Sequence, residues 1–312
     1  MQSNFRKTLN MIYRRTLWRL NDYLSYKQQL RKIRAEININ DISEEIAEDI
    51  QMAFIISTGR TGTKSLAYLF NTLPNVISLH EPKPDFLRLG LDFATRRVSY
   101  NIAHAFFVKY RLPQIKKFSE RYDVYIESNN RLFSLVPIIS EVFKDKRFNL
   151  KIVHIVRDGR DVVRSGFSRD WYSIFDPFPR LRAVDFPDDP WRSSWKNFDR
   201  FEKICWLWQK KDSIIYHDIG YFKNSITVKF EDIFNPENEF EGLWRIVEFL
   251  ELTPFIEDSK IDIEAFMKKK INKNPVYALP HWTQWPQQRL EQFWKIAGKH
   301  MKEVGYTMEE RI

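Results

Sequence analysis

Two glycines, two cations and three hydroxyls fall within residues 59–65, and that density marks the first place where this chain could do chemistry. Residues 53–65 read Ala-Phe-Ile-Ile-Ser-Thr-Gly-Arg-Thr-Gly-Thr-Lys-Ser, an apolar β-type run that enters a glycine-punctuated loop and then a helix-like segment. Gly59 and Gly62 let the backbone turn tightly and approach a ligand, while Thr61, Thr63 and Ser65 put hydroxyl donors beside the free N–H groups of a helix N-terminus. Arg60 and Lys64 bring positive charge to the same place. The set is a cradle for an anion. A loop for ATP or GTP needs glycines five apart, followed directly by Lys and Ser/Thr. Here they are three apart, Thr63 stands where that lysine belongs, and Arg60 lies between them, so the pattern points to a related anion and not to a Mg-bridged triphosphate.

A second run identifies the anion more closely. Residues 151–165, Lys-Ile-Val-His-Ile-Val-Arg-Asp-Gly-Arg-Asp-Val-Val-Arg-Ser, again read as strand, turn and helix, with Arg157 at the strand's C-terminal edge and Ser165 on the helix. A strand that doubles back as a helix brings an arginine fork and a hydroxyl onto one phosphate. As a pair and in this order, Gly-Arg-Thr-Gly-Thr and Val-Arg-Asp-Gly-Arg-Asp-Val-Val-x-Ser resemble the two cofactor signatures of sulfotransferases that use 3′-phosphoadenosine 5′-phosphosulfate (PAPS). The resemblance implies that Gly59 to Ser65 hold the 5′-phosphosulfate and that Arg157 and Ser165 hold the 3′-phosphate. It extends over roughly residues 52–306: Val228-Lys229-Phe230-Glu231-Asp232-Ile233 is similar to a late strand end of that family, and Lys302-Glu303-Val304-Gly305-Tyr306 to its C-terminal helix end. His80-Glu81-Pro82 places the chain nearest the carbohydrate and tyrosylprotein branch.

Sulfuryl transfer needs an acceptor oxygen aligned with sulfur, a base for its proton, and cations where charge collects on the leaving phosphate. Arg60 and Lys64 are the expected charge stabilisers. Glu81 is the expected base, since it follows the apolar run Val76-Ile77-Ser78-Leu79 to the sheet edge where such folds bind ligands. His80 is the second candidate for base, because an ordinary imidazole titrates near ~6.5. Glu127, Ser128, Asn129 and Asn130 close another apolar run at the same edge, where the resemblance implies contacts to sulfate or acceptor; tyrosylprotein enzymes carry a lysine hereabouts and this chain has Ser and Asn. In His281-Trp282-Thr283-Gln284-Trp285-Pro286, Trp282 is available for stacking on the cofactor, with packing as the equal alternative. His154, inside an apolar strand, reads as a satisfied core histidine, and Arg160, Asp161 and Arg164 as solvated or salt-bridged helix faces, with contact to phosphate as the alternative for Arg164.

The elements that must carry these residues alternate. Strands are expected at 52–57, 75–79, 123–127, 151–156 and 226–230, with helices at 63–73, 131–143, 160–168, 192–215, 237–250 and 286–304. That implies an α/β fold: a single P-loop-like, three-layer domain at 51–312, with a central, mainly parallel sheet of about five strands flanked by helices. Segments 82–122 and 170–200 read as irregular insertions at the ligand edge, where acceptor specificity is built. At 312 residues and 43% hydrophobic content the chain can bury a full core.

Residues 1–50 form a separate arm, basic and then acidic. Residues 1–34 hold nine Lys/Arg against one acid, Asp22, and so account for +8 of the net +9. Met11, Ile12, Leu17, Trp18, Leu20, Leu24, Leu30 and Ile33 recur at helical spacing. Such a helix can dock on the body, pair in a dimer, or lie on an anionic membrane or polyanion. Residues 36–50, with six acids, read as a connecting helix. No apolar run reaches the ~18 residues a membrane span requires, and the single cysteine, Cys205, fits a reducing compartment. A soluble cytoplasmic enzyme is expected, in contrast to the Golgi-anchored members of the branch it resembles. No metal and no specific nucleic acid are expected, since no cluster has metal-ligand spacing; the partner is a small-molecule or glycan acceptor, carbohydrate, lipid-linked or aromatic. A P-loop-type kinase or hydrolase, or a non-catalytic nucleotide- or polyanion-binding module, are the alternatives.

Overall fold

Apolar residues dominate the expected strands on both alternating faces, which is the pattern of a sheet covered on both faces. In the computed structural model, which describes residues 17, 20–34, 50–144, 149–176, 178–268 and 277–308, five strands form one all-parallel sheet. They are β1 (Gln51–Ser57), β2 (Val76–His80), β3 (Val124–Ser128), β4 (Asn149–Val156) and β5 (Ser225–Lys229), in the order β2-β3-β1-β4-β5. The chain thus winds from β1 to one edge and back to β3, then crosses to β4 and β5 on the other side. The reversal leaves the C-terminal ends of β1, β3 and β4 side by side, the crevice where open parallel sheets bind ligands.

The helices are α1 (20–34), α2 (Thr63–Phe70), α3 (Leu87–Ala94), α4 (Tyr100–Ser119), α5 (Val136–Val142), α6 (Gly159–Phe167), α7 (Arg200–Ile219), α8 (Phe230–Ile233), α9 (Glu241–Phe249), α10 (Thr253–Ser259), α11 (Ile263–Lys268) and α12 (Gln287–Glu303). Period-two alternation sorts the strand side chains between two layers. Ala53, Ile55, Val124, Ile126, Val153 and Ile155 meet Leu66, Leu69 and Phe70 of α2 and Leu243, Ile246 and Val247 of α9. Met52, Phe54, Ile56, Tyr125 and Ile152 face the larger layer built from α4 to α7 and α12.

Segment 82–122 departs from the irregular insertion expected of it, because α3 and α4 fill most of it. Helix α4 carries Pro113 and no single apolar stripe; Ala103, Ala105, Phe106, Phe107, Val108, Leu112 and Ile115 are buried around much of its circumference. A helix buried on several sides has no amphipathic period to read. Among its described residues, segment 170–200 is irregular, with two short 3-10 turns at Ala183–Asp185 and Ser194–Lys196, and the helix expected from 192 begins only at Arg200, the start of α7. Of the arm, α1 docks on the body: Tyr26, Leu30 and Ile33 join the larger core, the Tyr26 hydroxyl donates to Asp92 at 3.0 Å, and Asp22 pairs with Arg88. The expected acidic connecting helix at 36–50 lies outside the described residues, apart from Ile50.

Candidate active site

The first loop leaves β1 at Thr58 and reverses through left-handed backbone, with φ +94° at Gly59, +66° at Arg60 and +71° at Gly62. Arg60 has a Cβ and holds this conformation at a cost of about 1–2 kcal/mol. Ser57 fixes the turn, its Oγ accepting the Gly59 N–H at 3.1 Å and the Thr61 hydroxyl at 2.7 Å. At Gly62 space is also limiting, since a Cβ there would lie 2.3 Å from the ring of Phe234 and 3.3 Å from that of Phe230. Gly62 caps α2 without any side-chain cap, and its carbonyl accepts from Ser65 N at 2.8 Å and Leu66 N at 3.2 Å. Thr61 and Thr63 are buried in the loop, while Lys64 and Ser65 are half-buried at its rim.

The second loop stands beside the first because β4 pairs with β1. Arg157 follows the end of β4, and its Nη1 donates to the Arg60 carbonyl at 2.7 Å. In return, Arg60 Nε donates to Ser165 Oγ, on α6, at 2.8 Å. The two loops are therefore knitted through one residue, and Arg157 and Ser165 converge on it. Burial, followed by repulsion from Arg169 and Arg157, lowers the Arg60 guanidinium to about 10. Arg157 Nε is buried without a hydrogen-bond partner among the described residues, and Asp161, 3.5 Å from Nη2, is a distant counter-charge. Like charges gathered at a cleft in this way are relieved by a bound anion.

Both late sequence runs brace this second loop. Glu231 accepts the Asp158 N–H at 3.0 Å with one oxygen and the Tyr306 hydroxyl at 2.6 Å with the other. Lys229 donates to the Gly305 carbonyl at 2.7 Å, joining the end of β5 to the end of α12. Burial raises the carboxyl of Glu231 above its ordinary value. Phe230 carries the Arg157 guanidinium 4.0 Å above its ring centre and also crowds Gly62, so α8 touches both loops.

Glu81 follows β2 in a left-handed conformation (φ +46°), its N–H donating to Ser128 O at 3.1 Å. Its side chain accepts from Asn130 Nδ2 and pairs with Arg131 at 2.8 Å; Arg131 also pairs with Asp85. His80 Nε2 lies 3.4 Å from Thr63 Oγ1, which ties the end of β2 to the first loop. Burial, then Lys64 and Arg131, hold the His80 imidazole below its ordinary value against the opposing effect of Glu81. Ser128 is fully buried, and its hydroxyl has no hydrogen-bond partner among the described residues. Asn130 joins the two halves, since a Cβ on Gly59 would sit 3.5 Å from its side chain.

Lys211 was not expected. It reaches the crevice from α7, with Nζ donating to the carbonyls of Thr58 at 3.3 Å and Asn130 at 3.2 Å over the ring of Phe133. Burial, then Arg180, with Arg131 adding to the effect and Glu81 and Asp212 opposing it, lowers its amine to about 7. One signal was present in the sequence: Lys211 falls on the same helical stripe as Ile204, Trp208 and Ile215. Arg131, directly after Asn130, was missed as well.

Two expectations are corrected. Glu127 faces the opposite side of β3 from Ser128 and is fully buried, pairing with Arg111 at 3.1 Å and accepting from Tyr125 and Asn129 at 2.7 Å. Arg111 in turn donates to the carbonyls of Pro82 and Pro84 at 3.2 Å, so Glu127 braces the loop behind Glu81 instead of meeting an acceptor. Asn129 is spent in the same way, its side chain also accepting from Arg131 N. Trp282 lies against the guanidinium of Arg160 at 3.7 Å, which is the packing alternative of its reading. Arg160 is salt-bridged to Asp158, as one of its two readings had it, but it is 1% exposed because the first turn of α6 points it inward. His154 matches its core reading, lying between Asp212 at 3.2 Å and Thr227 at 3.4 Å.

No protein-family model matches the chain, and no curated protein matches its sequence. Among solved structures it is similar to the sulfotransferase domain from the curacin biosynthetic pathway, at 13% identity over 83% of this chain and 98% of that one, with a TM-score of 0.44. The sulfotransferase domain from the Synechococcus PCC 7002 olefin synthase aligns at 16% identity over 80% and 94%, with a TM-score of 0.41. Sulfotransferase STF1 from Mycobacterium tuberculosis H37Rv aligns at 12% identity over 80% and 78%, with a TM-score of 0.43.

Proposed function

We propose that this chain is a sulfotransferase that moves a sulfuryl group from PAPS to an acceptor hydroxyl. One observation carries the reading: two anion-type loops, at the tips of adjacent strands, are joined through Arg60, which donates to Ser165 while its carbonyl accepts from Arg157. A ligand with phosphate groups at both ends of an adenosine matches two such loops. The residues fit it in charge, through Arg60, Arg157 and Lys64; in donors, through Thr61, Thr63, Ser65 and Ser165; and in space, through Gly59 and Gly62.

The donor supplies an activated sulfuryl group. In the transfer, the acceptor oxygen forms a bond to sulfur as the bond from sulfur to the leaving phosphate oxygen breaks, and the acceptor proton passes to the protein. Glu81, oriented by Asn130 and Arg131, is the base we assign, with His80 as the alternative beside Thr63. Arg60 and Lys64 offset charge on the leaving phosphate. The acceptor, carbohydrate, lipid-linked or aromatic, is met by Ser128, Asn130 and the segment 170–200.

The test is a pair of ligands on one variant. Calorimetry on Arg157→Ala should show 3′-phosphoadenosine 5′-phosphate bound more weakly by roughly 10- to 150-fold, the worth of a charged hydrogen bond of ~1.5–3 kcal/mol. AMP, which lacks the 3′ group, should change little. Equal losses for both ligands would refute the phosphate assignment.

A further inference from the structure

Eleven large apolar side chains stand out as exposed in the described residues, and four of them, Leu17, Leu20, Tyr23 and Leu24, lie within eight residues of the arm, at 40%, 51%, 42% and 55% exposure. The other seven are spread over the rest of the surface. Scattered exposed apolar residues are ordinary, whereas a contiguous group marks a contact. At about 100° per residue, Leu20 and Leu24 share one side of α1, and Tyr26, Leu30 and Ile33, which dock on the body, share the opposite side; Leu17 lies just N-terminal to residues 20–34. The leucine face therefore points away from the protein. Further along that side come Lys27 and Arg31, with Lys32 and Arg34 beside them, all exposed. The single acid of the segment, Asp22, is paired with Arg88.

We propose that α1 lays this face on an anionic lipid surface, with the leucines entering the interface and the cations meeting headgroup charge. An apolar stripe flanked by lysine and arginine is the arrangement of helices that lie in the membrane plane, and four to eight basic residues on such a helix suit anionic lipid. The protein would rest on the membrane and not cross it, as no described helix is long and apolar enough to span one. Charge complementarity selects this occupant. A second copy would bring another +8 arm against the first, and a soluble polyanion gives three half-exposed leucines nothing to enter. The proposal stands on α1 alone and does not require the sulfotransferase reading.

Co-sedimentation of the full chain with vesicles tests it. Vesicles of phosphatidylcholine with about 30% phosphatidylserine should bind the protein at least about tenfold more tightly than phosphatidylcholine alone, and 0.5 M salt should abolish most of the difference. Leu20→Glu/Leu24→Glu should weaken binding about a hundredfold, from loss of two inserted side chains. Because both side chains are exposed, that variant should keep the thermal midpoint of the parent and its affinity for 3′-phosphoadenosine 5′-phosphate. Lys27→Glu/Arg31→Glu should lose selectivity for the anionic vesicles. The proposal is overturned if anionic vesicles do not retain the protein, if the double leucine variant binds them as the parent does, or if the leucine face is instead buried by self-association at the vesicle-assay concentration in analytical ultracentrifugation.

Discussion

Replacing Lys211 by Met should separate stability from activity, and the size of each effect follows from where the amine sits. Moving a lysine from 10.5 to about 7 penalises its charged form by about 5 kcal/mol, at ~1.36 kcal/mol per pH unit. Below pH 7 the amine is charged in both the folded and the unfolded chain, so the folded state bears the whole penalty. Between pH 7 and 10.5 the unfolded chain holds the extra proton, and stability rises with pH; above 10.5 the penalty is gone. From pH 7 to 9 this one group gives the parent roughly 2 kcal/mol, since the folded amine is already half-titrated at pH 7, or about 4 °C in thermal midpoint at ~2 °C per kcal/mol. Met has no proton to release, so the midpoint difference between variant and parent should shift by that amount across the two pH values. At pH 6 the removed penalty is set against two carbonyls, of Thr58 and Asn130, left without their donor at ~1–3 kcal/mol each. Near balance is expected there, which makes the pH slope the diagnostic quantity. Lys211 holds the loop that carries Arg60 and the loop that carries Asn130 and Arg131. Releasing both should lower turnover about a hundredfold, the usual effect of an ångström-scale misplacement. Parallel midpoint curves from pH 6 to 9 with unchanged turnover would refute both the buried-amine account and its place in the site.

Glu81→Gln should lower turnover by ~10²–10⁴-fold with little change in binding of 3′-phosphoadenosine 5′-phosphate, whereas His80→Asn should do so only if the imidazole is the base; steady-state kinetics on the two variants distinguish them. Gly59→Ala meets only ordinary contact at 3.5 Å but must hold φ +94°, so it should cost about 1–2 kcal/mol by chemical denaturation. Gly62→Ala adds overlap with Phe234 at 2.3 Å and should cost more and abolish ligand binding. Arg111→Met leaves Glu127 as an unpaired buried charge and should cost ~3–5 kcal/mol in the same assay, with the loop at Pro82–Pro84 becoming accessible to protease.

The strands were legible because both sheet faces are buried, which leaves uninterrupted apolar runs bounded by turn residues; every observed strand begins and ends within about two residues of its expected range. The neighbouring position of the two anion loops followed from the same runs, once β4 paired with β1. What was illegible depends on direction and on distance in sequence. Glu127 and Ser128 are adjacent in the chain but point to opposite sides of β3, and only the packing of α4 shows which side is the cleft. Trp282 and Arg160 are far apart in sequence, so nothing local showed that each would be the other's partner. In α7, Gln209-Lys210-Lys211-Asp212-Ser213 reads as a solvated polar patch, yet Lys211 and Asp212 turn inward, the second to hold His154 and His300 at 3.2 and 2.8 Å.

These inward charges are not where a stability-driven fold would put them. Asp212 is matched by two histidines, and burial is outweighed there by their hydrogen bonds and charge, so its carboxyl sits below its ordinary value. Glu127 is matched by Arg111. Among the described residues, Lys211, one position from Asp212, has carbonyl partners but no carboxylate at hydrogen-bond distance, and Arg60 has a hydroxyl partner and two repelling guanidinium groups. An inward charge with no counter-charge inside the protein is a candidate position for a charged ligand. The two unmatched ones are Arg60, on the loop at the C-terminal tip of β1, and the lysine that pins that loop, and an anion placed there would supply the missing counter-charge.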